Sequence, residues 1–223
     1  MMTNLFSIFD PSNNMSYSLN WMTSIIIFMF MPLLYWLIPS RSSMIWFTMF
    51  NLLSKEINAM MKNSKEKKSK LFIISLFTLI MLNNLISMFP YIFPPTSHLV
   101  FSLSLALPLW LSLMIFSMFN NLKKFLASFV PQETPMFISP FMVLIETTSN
   151  IIRPITLSVR LMTNITAGHL IIELIGNMIE QESIMKKSVI LVQLMIFILE
   201  MMMAMIQAYV FSMLATMYFS ENF

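Results

Sequence analysis

The chain has 223 residues, 57% of them hydrophobic and only 10% charged, with 13 Lys and Arg against 10 Asp and Glu. Ordinary soluble domains carry about 25% charged residues, so this composition excludes a water-soluble domain and marks an integral membrane protein. Cysteine is absent and there are two histidines and two glycines, which excludes disulfides, a Cys- or His-cluster metal site and a Gly-rich nucleotide loop.

The apolar segments are continuous runs rather than short polar/apolar alternations, so the spans are helices and not barrel strands. The net charge of +3 does not point to nucleic acid, because the basic residues lie in short loops where the positive-inside rule accounts for them. Met1 to Asn20 has no Lys or Arg and one Asp, unlike a secretory signal or an Arg-rich transit peptide. Either the first span is its own insertion signal or the protein is made inside its compartment. The 26 methionines, with many Ile, Phe and Asn, look like the drift of an A+T-rich genome that reads extra codons as Met, a hint of an animal mitochondrial gene.

Trp21 to Ile38 is an uncharged run long enough for a first span, closed by Pro39 and Arg41. From 42 to 62 apolar residues recur at helical spacing with Lys55, Glu56 and Lys62 between them, the pattern of an interfacial amphipathic helix. Lys62, Lys65, Lys67, Lys68 and Lys70 then form the densest positive cluster, which marks the matrix-equivalent side. Leu71 to Leu122 holds no Asp, Glu, Lys or Arg in 52 residues; with Pro90, Pro94 and Pro95 inside, it predicts a helical hairpin turning near 90–97. Lys123 and Lys124 return the chain to the positive side, and Pro131, Pro135 and Pro140 precede the next helix.

The remaining segment, 137–220, predicts two long helices that differ from the rest in carrying isolated polar groups in apolar surroundings: Glu146, Asn150, Arg153, Arg160, Asn164, His169, Glu173, Gln193, Glu200 and Gln207. Arg160 is the one charge between Pro154 and Ile172, and a guanidinium at mid-membrane costs roughly 2.5–3.5 kcal/mol without being able to lose its proton. Arg160 and Asn164 share a helix face, Glu146 lies about 40° from it and about 21 Å away along a continuous helix, and Gln193, Glu200 and Gln207 form one stripe at seven-residue spacing. Two such striped helices pair to hide their polar groups from lipid. Ser188 to Ser220 is near 50 Å long as a helix, against a hydrocarbon core of about 30 Å, so it is tilted, kinked or extends beyond the membrane. The fold expected is all-α and membrane-integral, one domain over 1–223, with about five membrane helices plus one interfacial helix, the last two long, tilted and paired as a hairpin. On these residues alone Gln193 and Asn150 read as interhelical glue, Glu173 as a solvated end group, His169 as either a packing residue or a proton carrier, and Glu146 as either a functional carboxylate or a neutral acid bonded to backbone.

The segment Arg160-Leu-Met-Thr-Asn164-Ile-Thr-Ala-Gly168-His169, with Glu146 upstream and Glu200 to Gln207-Ala-Tyr-Val-Phe downstream, closely resembles subunit a of the F-type ATP synthase in its animal mitochondrial form, over essentially the whole chain. The resemblance implies a non-catalytic, proton-translocating stator in the mitochondrial inner membrane. Its partners would be a ring of c subunits, other membrane-sector and peripheral-stalk subunits, protons and lipid, with no nucleic acid, metal or cofactor. In that family the residue matching Arg160 faces the ring carboxylates, those matching Asn164 and Gln207 sit beside it, those matching His169 and Glu200 line the half-channel from the intermembrane space, and that matching Glu146 belongs to the matrix half-channel. Bacterial relatives exchange the two types, with a carboxylate at the His169 position and a histidine at that of Glu200, which implies that the pair works together. The competing class is an ion-coupled secondary transporter or a respiratory proton-pump subunit. Transporters usually show internal repeats and broken helices in both halves, whereas here the polar residues are confined to one C-terminal helix pair and no repeat is visible.

Overall fold

The computed structural model of the chain describes residues 6–12, 19–32, 38–61, 70–89, 92–120, 122–130, 135, 137–181 and 186–222. Lys62, Lys65, Lys67 and Lys68 of the expected positive cluster, and Pro90 and Pro131, lie outside the described residues. Regular structure among the described residues is helical throughout.

A 3₁₀ turn at Ser7–Phe9 is followed by a run of helical turns, Leu19–Met22 (3₁₀), α1 Thr23–Ile26 and Ile27–Phe30 (3₁₀). The sequence predicts one span over 21–38, but helical backbone ends at Phe30 and Met31 is extended, at φ −71° and ψ 127°. Pro32 is the cause, because the proline ring clashes with a helical residue before it. Residues 33–37 lie outside the described residues.

The amphipathic helix α2, Arg41–Met60, starts at an extended Ser40 whose hydroxyl accepts from the Ser43 N–H, and it turns Leu53 and Ile57 inward. Helices α3, Lys70–Ser87, and α4, Leu99–Asn120, are separated by a 3₁₀ turn at Pro95–Ser97, where extended Pro94 prevents one helix from running through. A short α5, Leu122–Ser128, precedes the two long helices: α6, Ser139–Gln181, of 43 residues, and α7, Lys186–Asn222, of 37. At 1.5 Å per residue these are about 64 and 55 Å long, around twice a hydrocarbon core of about 30 Å. Upright crossing therefore leaves long stretches outside lipid, and tilt is the economical solution.

Among the described residues four helices are long and apolar enough to cross a membrane, within α3, α4, α6 and α7, and Leu19–Met29 adds a shorter apolar stretch. Their packing centres on α7, which lies against α3 on one side and α6 on another, while α4 lies mainly against α6. The arms of the expected hairpin thus join the core chiefly through the long helices. Ala204, Ala208 and Ala215 lie on one stripe of α7 and are all buried, so backbones approach closely there. Around Ala208 and Ala215 close Phe77, Ile80 and Met81 of α3, Leu109 and Leu113 of α4, and Leu157 and Leu161 of α6. Since lipid is as apolar as leucine, this bundle is held by close packing and interhelical hydrogen bonds rather than by exclusion from water.

Candidate functional site

The polar groups of α6 and α7 meet across their antiparallel interface. Asn164 Nδ2 donates to Gln207 Oε1 at 3.1 Å, joining the residue one turn from Arg160 to the stripe of the last helix. One turn further along α6, Gly168 faces Glu200: a Cβ built on the glycine would lie 2.7 Å from the Glu200 Cδ. Absence of a side chain at 168 is what lets the carboxylate lie between the helices. Glu200 is 9% exposed, and among the described residues neither of its buried oxygens has a hydrogen-bond partner.

Glu200, Asn164, Gln207 and Gly168 border a cavity of about 330 Å³ whose further wall includes Asn84 of α3. Asn84 is fully buried and its Nδ2 donates to the Ala204 carbonyl of α7 at 3.4 Å. Its Oδ1 and the Gln207 Nε2 are, like the Glu200 oxygens, buried without a partner among the described residues. Sequence reasoning confined the polar groups to the last two helices, and Asn84 corrects that. An Asn pair at 83–84 inside a 52-residue uncharged run was the available signal.

Next to this inner cavity is a larger one of about 1080 Å³, bordered by His169, Glu173, Gln193 and, from the N-terminal segment, Asp10. Met88 borders both. The α7 stripe thus leads from the outer cavity at Gln193 to the inner one at Glu200 and Gln207. The N-terminal segment is anchored there by Phe9, whose carbonyl accepts from His98 Nε2 at 3.0 Å and whose ring meets the His169 ring edge-on, with centroids 6.2 Å apart. Trp21 and Phe93 flank the His98 ring. The Ser12 backbone N–H and hydroxyl both donate to Asp10 and hold its carboxyl below the usual range, so the mouth carries a fixed negative charge. Glu173, read from sequence as a solvated end group, has one buried oxygen with no partner among the described residues.

Arg160 is exposed on the outer face of α6, and no described carboxylate pairs with it. Thr156, Thr163 and Ala167 are exposed on the same face. Glu146 is not brought to this group. Because α6 runs unbroken through Pro154, Glu146 stays 14 residues away, about 21 Å. Its carboxylate accepts from Arg153 Nη2 at 3.5 Å, a side-chain contact within α6. The described residues contain no cluster of three His, Asp or Glu side chains that would hold a metal.

A family model described as ATP synthase A chain matches residues 17–220. The chain is 47% identical over 222 residues to ATP synthase subunit a of Drosophila melanogaster, with 99% of each chain covered. It is 46% identical over 224 residues to that of Anopheles gambiae and 45% identical over 224 residues to that of Aedes aegypti, again with 99% of each chain covered. With the family model covering nearly the whole length and these relatives aligned end to end, the chain belongs to the ATP synthase A chain family.

Proposed function

We propose that the chain is the proton-conducting stator of the membrane sector of an F-type ATP synthase in the mitochondrial inner membrane, not itself catalytic, working against a ring of c subunits. The observation that carries this reading is Arg160: a permanent charge on an exposed face of a membrane helix, without a described acidic partner, beside the Asn164–Gln207 bond. Such a charge is costly in lipid and is relieved by a carboxylate from outside the chain. At roughly 4 Å and an effective dielectric of about 20, the attraction is about 4 kcal/mol, enough to strip the proton from a carboxyl arriving at Arg160.

Protons would reach the ring from the outer cavity through His169 and Glu200, whose buried oxygens border a cavity roomy enough for several waters. They would leave on the other side past Glu146. A neutral ring carboxyl tolerates lipid and an ionised one does not, so rotation away from Arg160 waits on reloading, and the fixed charge of Arg160 bars a direct leak between the two paths. Each proton supplies about 2.3 kcal/mol per 100 mV crossed, which the ring turns into torque. Membership of the ATP synthase A chain family favours this reading over a secondary transporter or a respiratory pump subunit.

The native chain has no cysteine, so single-cysteine variants give a clean test of the partner. Cysteines at Thr156, Thr163 or Ala167, on the Arg160 face, are expected to form disulfides with cysteines placed beside the ring carboxylate. Cross-linking at none of the three, with the complex assembled, sinks the rotor-facing assignment.

A further inference from the structure

We propose that Arg153 is a positioning residue for Glu146: clamped over the Tyr218 ring, its guanidinium holds the exit-side carboxylate in place between α6 and the end of α7. The proposal rests on the reading of Glu146 as the exit carboxylate. Glu146, Arg153 and Arg160 stand at steps of seven on α6, so they fall on one slowly turning stripe at intervals of about 10.5 Å. Arg153 lies between the other two, and its side chain is turned to Glu146, with Nη2 at 3.5 Å from Oε1. The guanidinium carbon stands 5.6 Å from the centroid of the Tyr218 ring on α7, a cation–π distance.

One flat cation thus binds two elements, a carboxylate by hydrogen bonding and a phenol ring by its face, and only arginine does both in one geometry. The carboxyl-bearing stretch of α6 is thereby tied to the last turns of α7. The Arg153 and Glu146 side chains remain 36% and 33% exposed, so the carboxylate is fixed on one side and open to exchange with water on the other. A group that must take a proton from a passing site and give it to water needs both properties, because transfer requires hydrogen-bond reach. Free rotation of a lone glutamate on an exposed helix face would supply only the second.

The test is a cycle of substitutions in the assembled complex in vesicles, reading proton-driven ATP synthesis. Arg153→Ala is expected to slow synthesis about threefold or more, as a misplaced transfer group does. Arg153→Lys, which keeps a charge without the planar fork, is expected to recover part of the rate. If Arg153 acts through Glu146, the double variant Glu146→Gln/Arg153→Ala is no slower than Glu146→Gln alone. Tyr218→Leu removes the ring and is expected to slow synthesis with both charges intact, a readout that holds even where Arg153→Ala fails to assemble. Full rate in both Arg153→Ala and Tyr218→Leu, or losses that multiply in the double variant, overturns the proposal. Full rate in Glu146→Gln instead overturns the exit-carboxylate reading beneath it.

Discussion

Gly168→Ala separates position from stability at the inner cavity. The new Cβ would stand 2.7 Å from Glu200 Cδ and from Oε1, whereas carbon atoms rest at about 3.5–4.0 Å, so the carboxylate has to withdraw by about 1 Å. It is the far end of a flexible side chain, and turning it off its rotamer costs about 0.5–1.5 kcal/mol. Against that, alanine is better than glycine in a helix interior by about 0.8–1.0 kcal/mol, and position 168 is deep within α6. The two effects nearly cancel, so assembly and thermal stability of the complex are expected to change by less than about 1 kcal/mol. Proton transfer tolerates such a shift far less: a displacement of about 1 Å can cost as much as 10²-fold in rate. The expected result is normal assembly on native gels with ATP synthesis and ATP-driven proton pumping both down about tenfold or more. Gly176→Ala is the matched control, since nothing lies within 4 Å of a Cβ there; it is expected to leave transport unchanged. Adding Glu200→Asp to Gly168→Ala shortens the acid and is expected to return part of the rate. Full activity of Gly168→Ala, or equal losses from the two glycine variants, would refute the reasoning.

Other interhelical contacts make separate predictions. Removing Asn164 by Asn164→Ala leaves Gln207 buried without its partner, so the variant is expected to lose about 1–2 kcal/mol of stability, with a coupling to Gln207→Ala of about 0.6 kcal/mol in a double-mutant cycle on the detergent-solubilised complex. Asn84→Leu keeps the volume that packs α3 on α7 but makes one wall of the inner cavity apolar. Proton pumping is expected to slow several-fold while assembly holds, and unaltered pumping would remove Asn84 from the pathway. Tyr209→Phe removes the bond from the tyrosine hydroxyl to Glu56 Oε2 at 3.0 Å, which ties α7 to the amphipathic helix α2. Both groups are exposed, so the loss is at most about 1 kcal/mol, read as faster hydrogen exchange near Lys55–Met60 with synthesis retained.

Pairing of the last two helices was legible because Asn164 on one, and Glu200 and Gln207 on the other, are polar groups that lipid cannot accept; Arg160, expected on the same hidden stripe, instead stays exposed outside the pair. The break at Pro94 and Pro95 was legible for the same local reason that fixes it, the missing N–H and fixed φ of proline. Pro32 carried an equal signal, and a continuous span from 21 to 38 overlooked it. What local pattern cannot give is register between elements distant in sequence. Nothing in the order of residues sets Gly168 opposite Glu200, Asn84 under Ala204, or Phe9 between His98 and His169; those follow from how α3, α6 and α7 slide together. The Glu146–Arg153 pair lies between these cases, since a spacing of seven puts both on one stripe, yet only side-chain direction shows that Arg153 turns to the carboxylate.

The fixed charge of Arg160 is the centre of the proposed mechanism. In vesicles carrying the assembled complex, Arg160→Gln is to be compared with the native chain for both proton-driven ATP synthesis and passive proton permeability. Coupled synthesis is expected to be lost with the complex intact, because without the fixed cation the ring carboxylates are not discharged and protons are not barred from leaking between the two paths. Normal synthesis by Arg160→Gln would contradict the mechanism and leave Arg160 as a structural charge on the face of α6.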